Sequence, residues 1–152
     1  MSWHVSDRKK GVTDRIDTIL SQFHNVASQL TRRHDGRETL EIRDEYDVQD
    51  LLHALLLVEF GDIRREEWTP SYAGGSARAD LLIKDDEIVI ETKFATKSLR
   101  DKKLGEQLIV DIARYSKHPD CGALVCFIYD PQHHVENREA LRRDLETLGE
   151  LV

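Results

Sequence analysis

Two short aliphatic runs, "LLI" (Leu81 to Ile83) and "IVI" (Ile88 to Ile90), flank the four polar residues "KDDE". Runs of this kind around a tight acidic break form a β-hairpin. Its pairing is narrowly determined. With Asp85-Asp86 as a two-residue loop, or with all four residues in the loop, Ile83 faces Ile88 and Asp80 faces Glu91. Directly opposed residues of an antiparallel pair share a face, with Cβ atoms about 4.5–5.5 Å apart. Leu81, Ile83, Ile88 and Ile90 therefore line an apolar face, and Asp80 and Glu91 meet on the other. Strand alternation adds Lys93 to that acidic face.

The flanking sequence sets the hairpin in an α/β fold. "VTDRIDTILSQFHNVASQL" carries Val12, Ile16, Ile19, Phe23, Val26 and Leu30 at alternating steps of four and three, a heptad-type seam on a helix. That seam either packs on the rest of the chain or self-associates. A charged break around Gly36 follows and reads as a linker. The expected division is an N-terminal helix and linker over 1–38, then a main domain over 39–152.

In "DEYDVQDLLHALLLVEF" acids crowd the first turn of a second helix, where the helix dipole favours them. Leu51, Leu52, Leu55 and Leu56 form its apolar face. "IRREEW" is a strand candidate, and Pro70, Gly74 and Gly75 make "TPSYAGGSA" a loop. After the hairpin, "LRDKKLGEQLIVDIARYSKH" is a helix with Leu104, Leu108, Ile112 and Tyr115 inward. "ALVCFIY" is continuously apolar, as expected of a strand covered on both faces. Pro131 ends it, and "ENREALRRDLETLGELV" supplies a last helix. The expected core is αβββαβ, a mixed sheet flanked by helices, with an N-terminal helical extension.

Composition narrows the partners. A length of 152 residues is enough for one real core. A net charge of −7 argues against a broad basic nucleic-acid surface, so any such contact must rest on a local basic patch. No apolar run approaches the ~20 residues of a membrane span. "MSWHVSDRKKG" lacks the apolar core of a secretory signal, and the expectation is a cytoplasmic protein. Cys121 and Cys126 show no metal-ligand spacing and read as buried reduced thiols.

The acidic face of the hairpin is a cation site by its chemistry. Two opposed carboxylates repel unless a positive ion lies between them, and an oxygen-only ligand set suits Mg²⁺ or Mn²⁺ rather than zinc. Such an ion activates water and neutralises charge on a phosphodiester under in-line attack. Lys93 would orient or deprotonate the water, or stabilise the transition state. With 34% of residues charged, an acid–acid–lysine trio also arises by chance. This one lies inside strongly apolar β sequence instead of on a solvated charged face.

Asp80, ten residues, then Glu91-Thr92-Lys93 resembles the pattern of the PD-(D/E)xK nuclease superfamily, the restriction-endonuclease-like fold. The resemblance covers Asp44 to Asp130 and includes the order of elements. It implies a divalent-metal-dependent phosphodiesterase acting on DNA. Asp80, Glu91 and the Thr92 carbonyl would be metal ligands, with Lys93 the catalytic lysine. Ala79 stands where the name-giving proline would be. Many members add an acid on the helix before the sheet, and Glu45 is the candidate here; its other reading is a first-turn acid serving the dipole. "EQLIVDIARY" is similar to the helix that places a glutamine and a tyrosine near the site. Gln107 is the match, whereas Tyr115 comes one turn later than that spacing.

Beyond the Glu-x-Lys strand, Lys97, Arg100, Lys102 and Lys103 form the densest basic cluster and are expected to contact phosphate. Arg64 and Arg65 are a second such candidate, and His133 and His134 have no assigned role. The expected function is a metal-dependent DNA nuclease of a restriction or other anti-phage system. Its expected partners are DNA, a homodimer formed through the N-terminal helix, and a larger defence complex. Two other readings stay open: a non-cleaving nucleic-acid-binding or scaffolding module on the same fold, and a junction-resolving nuclease that needs a symmetric dimer.

Overall fold

A computed structural model of the chain describes residues 2–4, 10–65, 68–72, 75–116 and 121–150, with side chains over 11–65, 79–116 and 121–147. In chain order the elements are β1 (Ser2–His4), α1 (Lys10–Leu30), a 3₁₀ turn (His34–Gly36), α2 (Glu45–Leu56), β2 (Ile63–Arg65), β3 (Trp68–Tyr72) and β4 (Gly75–Arg78). They continue with β5 (Leu81–Ile83), β6 (Ile88–Phe94), α3 (Asp101–Ser116), β7 (Ala123–Tyr129) and α4 (Arg138–Glu150). Five strands make one sheet in the order β1-β7-β6-β5-β2. All neighbours run antiparallel except β6 and β7, which are parallel and joined by α3. A parallel pair needs such a crossover, because a tight turn cannot return the chain to the same end.

Alternation along β5, β6 and β7 divides the core into two layers. Leu81, Ile83, Ile88, Ile90, Val125 and Phe127 pack with α1 and α2. Leu82, Val89, Leu124, Cys126 and Ile128 pack with α3 and α4. All seven residues of β7 are buried, as its unbroken apolar sequence requires. The αβββαβ order and the mixed sheet with helices on both faces are those expected from the sequence.

The seam of α1 meets this chain's own core. Ile16 and Phe23 are fully buried, with Leu20 and Ala27 beside them. The Phe23 ring lies 5.1 Å from that of Phe127 and 5.0 Å from that of Tyr129, centroid to centroid. Residues on both sides of position 38 thus enter one apolar cluster, through Ile16 and Phe23 before it and Val48 and Leu52 after it. Among the described residues no helix is long and apolar enough to cross a membrane.

Three details differ from the sequence reading. The Gly- and Pro-containing stretch read as a loop contains β3 and β4, which pair with each other as a separate two-stranded sheet. Of the strand read over Ile63 to Trp68, Ile63–Arg65 form β2 and Trp68 opens β3, while residues 66 and 67 lie outside the described residues. The edge strand β1 pairs with β7, although three polar and aromatic residues carry no strand signal of their own.

Helix α2 begins where its acids demand. The Asp44 side chain accepts a hydrogen bond from the Asp47 amide at 3.0 Å, and the Asp47 carboxylate accepts one from the Arg43 amide at 3.0 Å. Each contact satisfies an amide near the helix start. Replacing Asp44 by Ala should cost about 1 kcal/mol of stability, read as a lower urea midpoint at unchanged slope. An unchanged midpoint would show that the cap contributes nothing.

Candidate active site

Observed pairs Leu81 with Ile90, Leu82 with Val89, and Ile83 with Ile88 set Asp80 opposite Glu91 one step further along. All four residues from Lys84 to Glu87 form the turn, closed by the Glu87 amide donating to the Lys84 carbonyl at 3.2 Å. Glu87 takes a left-handed φ of 54°, the strained position of that turn. Asp80 lies just outside the ladder. One of its carboxylate oxygens, Oδ2, accepts from the Thr92 amide at 2.8 Å and the Thr92 hydroxyl at 3.2 Å. These bonds tie the hairpin's two acidic positions together where the strands part.

Glu91 is only 5% exposed. Burial pushes its carboxyl up to about 9, and the negative charges of Asp80 and Asp111 add to the rise. Without a cation, Glu91 therefore holds a proton at neutral pH. Tyr115, on α3, is also buried; burial and the Glu91 charge raise its phenol, and its hydroxyl makes no hydrogen bond of normal geometry.

Lys93 stands two residues beyond Glu91 on the same face. Its Nζ is 3.2 Å from Asp111 Oδ2 on α3, and the two side chains are 12% and 10% exposed. Burial alone would lower the Lys93 ammonium, but Asp111, Glu45 and Glu91 outweigh it and leave it raised. Burial likewise raises the Asp111 carboxyl, and the Lys93 charge offsets part of that rise.

Glu45, the first residue of α2, is half-buried and is pushed up to about 7, first by burial and then by Asp80 and Asp111, against the pull of Lys93. Capping belongs to its neighbour Asp44, which leaves the Glu45 side chain to face the site. Asp80, Glu91, Lys93 and Glu45, singled out separately in the sequence, are therefore electrostatic neighbours.

Other residues are less closely involved. Gln107 is exposed on α3, one turn before Asp111. Lys97, Arg100, Lys102 and Lys103 are exposed between the end of β6 and the first turn of α3, with Arg100 held by Glu136 at 3.2 Å. Arg64 pairs with Asp62 at 3.1 Å and Arg65 with Asp50 at 3.0 Å. Asp111 escaped the sequence reading altogether. Its signal was an acid one turn from both Gln107 and Tyr115, next to Ile112 on the buried face of the helix.

The donor set is made of oxygens. Among the described residues no three His, Cys, Asp or Glu side chains come together as a metal-ligand group. Two carboxylates, Asp80 and Glu91, do oppose each other, and the Asp80 charge adds to the rise that burial gives the Glu91 carboxyl. Mg²⁺ commonly takes one or two carboxylates and completes its shell with water and substrate phosphate. The pair fits an ion of that kind.

The family model described as REase_DpnII-MboI matches residues 14–151, from α1 past the end of α4. No curated protein and no solved structure matches the chain.

Proposed function

The chain belongs to the DpnII-MboI restriction endonuclease family and so is a DNA-cleaving enzyme, and on that premise we propose that Asp80, Glu91 and the Thr92 carbonyl hold one divalent cation, Mg²⁺ or Mn²⁺, at the point of phosphodiester hydrolysis. The carrying observation is the opposed acid pair, a buried Glu91 across from a half-buried Asp80, with burial first and the Asp80 charge next holding the Glu91 carboxyl raised. When bound, the ion supplies Lewis-acid stabilisation of the phosphate and a more acidic water.

This chain's own groups do the rest. Asp80 is oriented by Thr92, so its second oxygen is free to face Glu91. Lys93, an ammonium in a poorly solvated place, stabilises negative charge developing on the phosphate. Glu45 adds a carboxylate from α2. Gln107, exposed on α3 one turn before Asp111, is assigned a contact with substrate. Exposed Lys97, Lys102 and Lys103, with Arg100, guide the phosphate backbone to the site. Cutting both strands of a duplex calls for two sites, and a homodimer supplies the second.

Incubation of the protein with plasmid, linear duplex and single-stranded DNA tests the reading. Duplex DNA should be cut with Mg²⁺ or Mn²⁺ and left intact with EDTA. Undiminished cutting by metal-stripped protein in EDTA would overturn it.

A further inference from the structure

Two buried carboxylates on the α3 side of this fold have opposite surroundings. Asp130, whose side chain is 3% exposed, is fully used by the chain: its Oδ1 accepts from the His134 amide at 2.8 Å and its Oδ2 from the Val135 amide at 2.9 Å. That is a carboxylate serving local structure. Asp111 is nearly as buried, yet its Oδ2 makes no hydrogen bond of normal geometry, and what it faces is the Lys93 ammonium at 3.2 Å. Removing two charges from water is costly, and a pair of this sort is a poor device for stability alone. Its placement has to be explained by what it does to Lys93.

Lysine carries a point charge on a flexible four-carbon stem. Glu91 and Glu45 attract the same ammonium, so two positions for it compete with the one observed. Were Lys93 to fold back on Glu91, it would neutralise a carboxylate needed for the cation and withdraw its own charge from the substrate. Asp111 approaches from the covering helix α3, off the hairpin, and is the carboxylate that meets the ammonium, at 3.2 Å.

We infer that Asp111 is a positioning residue for DNA cleavage, holding the Lys93 ammonium apart from Asp80 and Glu91 so that one group binds metal and the other meets the scissile phosphate. The inference rests on the role given to Lys93 above. Asp111 touches neither substrate nor cation. It acts through Lys93, and a displacement of about 1 Å at such a group is enough to cost on the order of 10²-fold in rate.

The test is steady-state cleavage of plasmid DNA in Mg²⁺ by Asp111→Asn, Asp111→Glu, Lys93→Met and the double variant Lys93→Met/Asp111→Asn, with Mg²⁺ affinity measured separately by calorimetry. Asp111→Asn should lower kcat about 10–100-fold at a KM within about threefold of the parent. It should also weaken Mg²⁺ binding, because the released ammonium competes with the ion at Glu91. Asp111→Glu should recover part of kcat, and the double variant should be no slower than Lys93→Met. A merely structural role moves neither the kcat-to-KM split nor the Mg²⁺ affinity. If Asp111→Asn is unfolded by circular dichroism, Asp111→Ser must show the same split. Parental kcat in either folded variant, beside an inactive Lys93→Met, overturns this inference and leaves the site reading standing. Parental cleavage by Lys93→Met overturns the site reading itself.

Discussion

Glu91→Gln is expected to abolish DNA cleavage, by at least about 10²–10³-fold, in a protein that remains folded. Glutamine keeps the shape and the hydrogen-bonding capacity of a protonated glutamate, which is the form Glu91 already holds in the absence of a cation. The substitution therefore leaves the packing between β6, β7 and α3 undisturbed and removes only the ability to present a negative oxygen to a metal. Asp80→Asn should lose activity for the same reason, and Lys93→Ala by losing charge at the phosphate. A parental far-ultraviolet spectrum and a single cooperative urea transition will establish folding. A folded Glu91→Gln protein that cuts DNA at the parental rate would mean that hydrolysis takes place elsewhere on the chain.

The second large effect is on stability. In metal-free buffer the melting temperature should fall as pH rises from about 5 to about 9. The Glu91 carboxyl moves from an ordinary 4.5 up to about 9 on folding, because burial and the charges of Asp80 and Asp111 disfavour its ionised form. The native state thus keeps a proton that the unfolded chain releases. For a raised carboxyl, the stability is present in full below the unfolded pKa and is lost progressively as pH climbs through the folded one. Glu45, raised to about 7, adds to the loss in the lower part of that window.

The combined effect should reach a few kcal/mol, and each kcal/mol moves the melting temperature of a chain this size by about 2–4 °C. Saturating Mg²⁺ should restore most of the loss at high pH, since a cation bound only by the folded protein stabilises it by about 2.7 kcal/mol at a hundred times its Kd. Glu91→Gln should flatten the pH slope and lose much of the Mg²⁺ response. Thermal melts of both proteins from pH 5 to 9, in EDTA and in Mg²⁺, decide the matter. The same slope in parent and variant would show that Glu91 does not carry the shift.

A good deal of this site was legible before any coordinates. Two aliphatic runs four residues apart admit one register, and a strand period of two then sends Glu91 and Lys93 to one face with Asp80 across from them. These are short-range consequences of backbone geometry. They hold wherever the hairpin lies in the molecule. The inward residues of α3 and the burial of β7 followed from periodicity in the same way, and so did the order of elements that aligns the chain with a nuclease fold.

What periodicity leaves open is how one element is rotated against another. Nothing local distinguishes the seam of α1 as a self-association surface from a core face, and the burial of Ile16 and Phe23 against the sheet is a choice made by packing. Asp44 and Glu45 look equivalent as first-turn acids, but the angle at which α2 approaches the sheet gives the cap to one and the site to the other. The pairing of β3 with β4 and of β1 with β7 likewise depends on a partner strand being present, which turn residues and a three-residue run do not announce. Asp111 is the sharpest case. Gln107, Asp111 and Tyr115 share one stripe of α3, so their spacing ranks none above the others. The crossover from β6 to β7 alone fixes which turn of α3 lies over Lys93, and it brings Asp111 to within 3.2 Å while leaving Gln107 in solvent. Side-chain period is a property of each element by itself, whereas the pairing of Lys93 with Asp111 is a property of two elements locked together by the apolar layer between them.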